Sequence, residues 1–269
     1  MGEYSKEIDK MIFSFSRLHS FEHCRYEWYL NYLLKDKNGK RIYKNEQNFY
    51  AEFGKFCHEI LEKILRKELE IKDSSQYYID NFEENVVCYV AENTRDKYYY
   101  LGLDYFDTID GKWLGEYEIL GIEKKCTFAI EGVKFTGYID MLIRHRETKK
   151  IILIDHKSSE YPLGKRGKVK KKKIPDYESY KKQLYLYCEQ IFNEYGVYPD
   201  EIAWNYFREQ QWLHLPFVKE EYEDAKKWAI DVIKEIHKEE NFLPNLDYFY
   251  CSNLCGFRNS CDYKLMGGE

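Results

Sequence analysis

In the stretch IILIDHKSS, residues 151–159, a run of apolar residues is followed at once by charged side chains. Alternation along a strand places Asp155 and Lys157 on one side and His156 on the other. An anion and a cation directed at one point can bind a divalent metal together with the phosphate that the metal activates. A lone D-x-K is more often a solvated ion pair at a strand end, so the rest of the chain must support the chemistry.

A second carboxylate, Asp140, lies upstream in KFTGYIDMLIRH, a stretch typical of a core strand. Burying a carboxylate is costly unless it is paired or binds a cation. If the two strands lie side by side, Asp140 and Asp155 can share one divalent ion, and such hard oxygen ligands favour Mg²⁺ or Mn²⁺. Lys157 would then stand beside the ion, where it can orient a water nucleophile or neutralise charge on the phosphate.

The elements that must position these residues follow from hydrophobic periodicity. The pattern predicts an antiparallel meander of three strands over residues 117–159, turned at Glu131-Gly132 and at residues 147–149, which brings Asp140 beside the end of the next strand. A further hairpin is predicted over residues 201–217. Helices are predicted over residues 14–34, 49–69, 76–97, 177–195 and 220–240, the fourth of them ended by Gly196. The class is therefore α/β.

Length and charge set limits on what the chain does. With 269 residues, 44% of them hydrophobic, it is long enough to bury a substantial core. The net charge of −5 argues against coating by nucleic acid over the whole surface, although a local basic patch can still bind phosphates. The N-terminus has no apolar signal segment and no stretch is long enough to span a bilayer, so we expect a cytoplasmic protein with no membrane partner.

Four short motifs occur in one order along the chain. GKFCH places His58 in a G-x-x-x-H context, and GYID places Asp140 at the end of a G-x-x-D motif. The D-x-K of the opening stretch follows, and QLYLY then supplies Gln183 and Tyr187 as Q-x-x-x-Y. This series resembles the PD-(D/E)xK nuclease superfamily, and in particular its RecB-like branch, over residues 14–262. Each motif alone has a structural explanation, but nothing structural requires all four in this order.

The resemblance implies a restriction-endonuclease-like core, with a central mixed sheet flanked by helices, and the activity of a Mg²⁺- or Mn²⁺-dependent deoxyribonuclease. It implies that Lys157 assists the attack, while Gln183 and Tyr187 position the DNA strand. Glu123 occupies a position where relatives often have Glu. The implied ligands of the metal are His58, Asp140, Asp155 and the backbone carbonyl of His156.

Eight cysteines without a secretion signal are expected as reduced thiols, metal ligands or catalytic groups. Cys251, Cys255 and Cys261 lie within YCSNLCGFRNSCDY, and Cys24 lies in the first predicted helix. Four thiolates suit either a structural zinc ion or an iron-sulfur cluster. The remaining cysteines lie in apolar periodic segments, which favours core packing: Cys57, Cys88, Cys126 and Cys188.

The division of the four thiols into one plus three resembles the iron-staple nucleases, which include AddB-type helicase-nuclease subunits and CRISPR-associated RecB-like exonucleases. Those proteins hold a 4Fe-4S cluster. The spacing here is C-x3-C-x5-C, one residue longer than the common C-x2-C-x5-C. The resemblance implies one nuclease domain over residues 1–269, in which a cluster joins segment 14–35 to segment 245–263.

A basic nonapeptide, KRGKVKKKK, lies between the D-x-K strand and the helix of Gln183. It is either a solvated loop or a contact for the phosphate backbone, which would supply affinity without sequence preference. Its basic residues are Lys165, Arg166, Lys168, Lys170, Lys171, Lys172 and Lys173.

Two function classes remain open. The first is a metal-dependent nuclease, expected to act as an exonuclease on DNA ends or single strands in recombination, repair, phage replication or CRISPR adaptation. The second is a non-catalytic DNA-binding subunit of a larger helicase-nuclease or integration complex. The presence of Asp140, Asp155 and Lys157 together favours the enzyme. The chain has no G-x-x-x-x-G-K-[ST] loop, so unwinding is expected from a partner such as a helicase.

Overall fold

A computed structural model describes residues 4–263, the side chain of Trp113 excepted. The first three and last six residues of the predicted domain lie outside this range. The helices are α1 (Ser5–Ile8), α2 (Phe15–His23), α3 (Arg25–Tyr32), α4 (Phe49–Leu65), α5 (Ser74–Asn85), α6 (Glu92–Thr108), α7 (Ile174–Tyr195), α8 (Lys219–Lys238) and α9 (Tyr248–Asn253). The strands are β1 (Tyr117–Ile130), β2 (Val133–His145), β3 (Ile151–Lys157), β4 (Glu201–Tyr206) and β5 (Gln211–Pro216).

The five strands form one sheet in the order β1-β2-β3-β4-β5. The first three strands pair antiparallel, β3 pairs parallel with β4, and β5 returns antiparallel beside β4. Parallel neighbours need a crossover connection, and α7 supplies it between β3 and β4. The predicted meander, hairpin and α/β class with a mixed sheet flanked by helices are confirmed, and the arrangement is compatible with a restriction-endonuclease-like core.

Local sequence explains where the main elements turn and end. Glu131 and Gly132 have φ of 49° and 81°, so both central residues of the β1–β2 turn are left-handed, as a tight type I′ hairpin requires. Helix α7 ends at Gly196, whose φ of 73° forms a left-handed cap that glycine adopts without strain. These two turns fix the register of β2 and the length of α7, the elements that carry Asp140 and Gln183.

Helices cover the sheet on two sides. On one side, Leu153 of β3 and Ile202 of β4 share a buried cluster with Leu184 of α7 and with α8. On the other side, Ile152 and Ile154 lie in a smaller cluster with the end of α4, and α4 to α6 form a further apolar cluster among themselves. No helix within residues 4–263 is long and apolar enough to cross a membrane.

Two predicted helices are wrong as single elements. The helix predicted over residues 14–34 breaks at Cys24, which is extended with φ −152° and ψ 109° and whose sulfur accepts the backbone N–H of Glu27 at 3.4 Å. The helix predicted over residues 76–97 breaks between α5 and α6. There Val86 is fully buried, and the backbone N–H of Cys88 donates to Glu52 Oε2 at 2.7 Å. The first break is stabilised by this local cap and the second by a contact with a distant residue, and periodicity registers neither.

Candidate active site and metal centre

The candidate site lies where the pairing of β2 with β3 stops. The last paired residues are Met141 and Ile154, so Asp140 and Asp155 come next to each other in the register. Beyond the last pair, the Asp140 side chain takes the acceptor role that a backbone carbonyl has in strand pairing, because its Oδ2 accepts the backbone N–H of His156 at 2.7 Å. The register of the meander therefore fixes one carboxylate directly onto the backbone of the neighbouring strand.

Lys157 is held by three neighbours at the end of β3. Its Nζ lies 2.7 Å from Asp155 Oδ2, donates to Gln183 Oε1 at 3.0 Å, and lies 4.2 Å from the centre of the Tyr180 ring. Gln183 Nε2 donates in turn to Asp155 Oδ1 at 3.3 Å. Burial, the largest single cause, lowers the pKa of Lys157, but Asp155, Tyr180 and Asp140 together raise it by more, so the net pKa lies above the ordinary value and favours the ammonium.

His58, Glu123 and Asp140 form a group whose ligand atoms lie within 4.8 Å of one another. His58 Nδ1 is 3.6 Å from Asp140 Oδ2 and 4.0 Å from Glu123 Oε1. His58 Nε2 donates to the backbone carbonyl of His156 at 2.9 Å, and in the neutral ring this leaves the Nδ1 lone pair facing the two carboxylates. A hydrogen bond that fixes the tautomer in this way is typical of histidine ligands to metals.

This group differs in composition from the four ligands that the resemblance implied. Asp140 and His58 lie together, and Glu123 joins them from the neighbouring strand. The side chain of Asp155 instead lies against Lys157 and Gln183, and the carbonyl of His156 is occupied by His58.

A backbone irregularity brings Glu123 into the group. The register of β1 against β2 shifts between Ile119 and Gly121, and Glu123 itself has a φ of 45°. A left-handed non-glycine residue in a strand is uncommon, and bulges often redirect a side chain next to a functional site. Strand periodicity cannot reveal such a bulge, so only the resemblance to relatives pointed to Glu123.

The electrostatics of the group favour a cation. Burial raises the pKa of Glu123 to about 7, with repulsion from Asp140 as the next cause. Burial and then the charge of Asp155 raise the pKa of Asp140 to about 6. A divalent ion between the carboxylates would relieve this repulsion. One imidazole nitrogen with two carboxylates is a donor set that suits Mn²⁺ and, with added water ligands, Mg²⁺.

The model of the PD-(D/E)XK nuclease superfamily matches residues 12–262. The chain belongs to the PD-(D/E)XK nuclease superfamily. Nucleases of this superfamily use divalent metals, and the group of His58, Glu123 and Asp140 could hold such an ion. No curated protein matches the chain in sequence. A solved structure, the crystal structure of SSO0001, is similar over 83% of this chain and 89% of its own, with 16% identity and a TM-score of 0.31.

Tyr187, the last residue of the Q-x-x-x-Y motif in this PD-(D/E)XK chain, lies inside the protein. Only 6% of its surface is exposed, and its ring lies against β2 at Gly137. A Cβ at Gly137 would lie 2.5 Å from Cε1 of the ring. Burial raises the pKa of the Tyr187 hydroxyl, and the nearby Gln183 side chain lowers it in part. The ring thus connects the Asp140 strand with the residue that holds Lys157.

The basic nonapeptide divides into paired and exposed cations. Lys170 Nζ lies 2.7 Å from Glu160 Oε1 and donates to the carbonyl of Tyr161, while Lys173 lies 3.8 Å from Glu160 Oε2. Leu163 bridges to Val169, which closes the segment into a small loop. The other basic residues are exposed: Lys165, Arg166, Lys168, Lys171 and Lys172.

The four cysteines of the predicted cluster line one cavity, together with Glu27 and Tyr250. The N- and C-terminal segments meet there: Tyr250 donates to Glu27 Oε2 at 2.8 Å, and Leu30 packs with Phe257. Burial, and then the charge of Glu27, raise the pKa of Cys255 to about 12.

The four thiols of this cavity come from both ends of the described range: Cys24, Cys251, Cys255 and Cys261. Four thiols that line one cavity fit either a zinc ion or an iron-sulfur cluster. The four other cysteines are core residues or, for Cys88, half-buried.

Proposed function

We propose that this chain is a Mg²⁺- or Mn²⁺-dependent deoxyribonuclease of the RecB-like branch, acting as an exonuclease on DNA ends or single strands. The observation that supports it best is the placement of the Lys157 ammonium, held by Asp155 and Gln183, at the strand end beside the group of His58, Glu123 and Asp140. A DNA-binding subunit without turnover would not need a lysine fixed in this position.

The residues divide the work of phosphodiester hydrolysis. A divalent cation held by His58, Glu123 and Asp140 would supply positive charge at the phosphate and lower the pKa of nearby water. The ammonium of Lys157 is a hydrogen-bond donor at the same place, where it can orient the attacking water and stabilise the negative charge that develops on the phosphate oxygens. The water oxygen forms a new P–O bond, the P–O bond to one sugar breaks, and the sugar oxygen takes up a proton.

The remaining features supply positioning and DNA affinity. Asp155 and Gln183 keep Lys157 in place through contacts of 2.7 and 3.0 Å, so that its ammonium is oriented before substrate arrives. The exposed cations of the basic loop lie in the connection between β3 and α7. They would bind the phosphate backbone without reading sequence, as an enzyme acting on ends of any sequence requires.

The cysteine cavity would act as a staple. We propose that it holds a 4Fe-4S cluster, with zinc as the alternative, and that the cluster ties α3 to the segment around α9. The support is that four thiols, one from the N-terminal part of the chain and three from the C-terminal part, line one cavity, and four thiolates can hold such a cluster. The staple would stabilise the nuclease core without taking part in hydrolysis.

The test compares purified wild type with Asp140→Asn, Lys157→Met and the exposed control Lys134→Met. Labelled single-stranded and duplex DNA are incubated with Mg²⁺, Mn²⁺ or EDTA, and Mn²⁺ binding is measured by calorimetry. We expect Asp140→Asn to lose cleavage and Mn²⁺ binding, and Lys157→Met to lose cleavage while still binding Mn²⁺. The control should behave as wild type. Wild-type protein that binds DNA but cuts none with either metal would instead support the non-catalytic subunit.

A further inference from the structure

The β1–β2 hairpin continues past the end of β3 and leaves one of its faces open. Pairing of β2 with β3 stops at Met141 and Ile154, whereas β1 and β2 remain paired as far as their turn. On one face of this extension, Cys126 and Ile139 are buried in the cluster that contains residues of α7. Strand alternation directs the residues next to them to the opposite face, which is the α4 side of the sheet.

Lys125 and Tyr138 are paired directly across the two strands on this open face. Both are exposed, Tyr138 to 54%. Within residues 4–263, neither side chain makes a hydrogen bond, an ion pair or a ring contact. A single exposed tyrosine is ordinary on a protein surface, so its position decides what this one can do.

The pair lies next to the metal group. The register places Glu123 opposite Asp140, and Lys125 opposite Tyr138 is the next pair on the same face, two residues or about 6.8 Å further along both strands. His58 and Glu123 also line an open groove along α4, on the same side of the sheet as Tyr138. A nucleotide whose phosphate reaches the cation would therefore have its neighbour within reach of Tyr138.

An exposed aromatic ring beside a cation fits single-stranded nucleic acid. The ring offers its face to an unpaired base, and such stacking works with every base because each has a π-face. The ammonium of Lys125 can neutralise a phosphate of the same strand. In a duplex the internal bases are stacked on one another and have no free face, so this chemistry favours an unpaired strand.

We propose that single-stranded DNA lies along the open face of the β1–β2 hairpin, with one base stacked on Tyr138 and a phosphate at Lys125. Tyr138 is then a residue that positions the neighbouring phosphodiester at the group of His58, Glu123 and Asp140. This inference rests on the proposed function and narrows its substrate to unpaired strands. Sequence preference is not expected, because stacking and phosphate contacts do not read base edges.

The test measures binding of a labelled single strand and of a blunt duplex of equal length to the full chain by fluorescence anisotropy, with EDTA present to prevent cleavage. Tyr138→Ala should weaken single-strand binding roughly tenfold and leave duplex binding unchanged, whereas Tyr138→Phe keeps the ring and should bind as wild type. Tyr89→Ala is the matched control, since Tyr89 is 94% exposed and lies between α5 and α6. Lys125→Ser should reduce the salt slope for the single strand by about 0.7.

An abasic site moved along the oligonucleotide identifies the stacked base. At one position the missing base should itself weaken binding to wild type, and Tyr138→Ala should there cost nothing further. The inference is overturned if Tyr138→Ala binds the single strand as tightly as wild type, if Tyr138→Phe loses as much as Tyr138→Ala, or if the duplex is affected equally. Wild type that binds single strands through Tyr138 but cuts no DNA would refute the proposed function instead.

Discussion

Replacing Gly137 by alanine should disturb the active site through the ring of Tyr187. Gly137 is not at a positive φ, so its backbone conformation allows alanine. The added methyl carbon would lie 2.5 Å from Cε1 and 2.6 Å from the hydroxyl oxygen of Tyr187, closer than such atoms pack. Overpacking of this kind costs about 1–3 kcal/mol. For a chain of this length that lowers Tm by roughly 2–12 °C.

The same displacement should reduce turnover. Tyr187 lies one helical turn after Gln183 on α7, and Gln183 accepts a hydrogen bond from Lys157 at 3.0 Å. Misplacing a catalytic group by about 1 Å can cost about 100-fold in rate. We therefore expect kcat for DNA cleavage to fall roughly 10- to 100-fold in Gly137→Ala. KM should change little, because the Tyr187 ring is 6% exposed and has little surface to offer DNA.

A double-mutant cycle separates this explanation from a direct contact of Tyr187 with DNA. Tyr187→Leu removes the ring, so the double variant Gly137→Ala with Tyr187→Leu has no clash and should be more stable than the sum of the single effects by about 1–3 kcal/mol. Thermal unfolding and single-turnover cleavage measure both quantities. Gly115→Ala is the control, since no atom lies within 4 Å of its added methyl. Strictly additive effects, or a large rise in KM for Tyr187→Leu alone, would refute the reasoning.

Three further outcomes are expected. Lowering the pH from about 8 to about 6 should weaken Mn²⁺ binding, because the raised pKa of Glu123, about 7, lets a proton displace the ion in that range; equal calorimetric affinities at both pH values would contradict this. Lys171→Ser combined with Lys172→Ser should reduce the slope of log K for DNA binding against log salt concentration by roughly 1–2, as measured by fluorescence anisotropy. An unchanged slope would show that the loop is a solvated segment that does not contact DNA. Anaerobically purified Cys24→Ser should lose iron and Tm while Cys88→Ser keeps both, and stoichiometric zinc without sulfide in the wild type would exclude the iron-sulfur cluster.

The sequence predicted the elements whose ends carry their own signals. The left-handed pair Glu131-Gly132 and the glycine cap at Gly196 are local devices, and the meander and α7 lie where they indicate. The helix breaks at Cys24 and Val86 carry neither glycine nor proline. They depend on partners far along the chain, since Cys24 faces the cavity shared with α9 and Val86 packs into the cluster of α4 to α6. Local propensity loses to such tertiary contacts.

The sequence by itself determined which chemical groups are available and that Asp140, Asp155 and Lys157 come to one strand end, because strand alternation and a short turn fix faces and neighbours. Only the tertiary structure decided how these groups pair. The bulge in β1 turns Glu123 towards His58. The packing of α7 brings Gln183 to Lys157, and this contact keeps Asp155 beside the lysine. Alternation sets the direction of a side chain, but the distances between side chains on different elements depend on register shifts and helix packing, and neither is written in a local pattern.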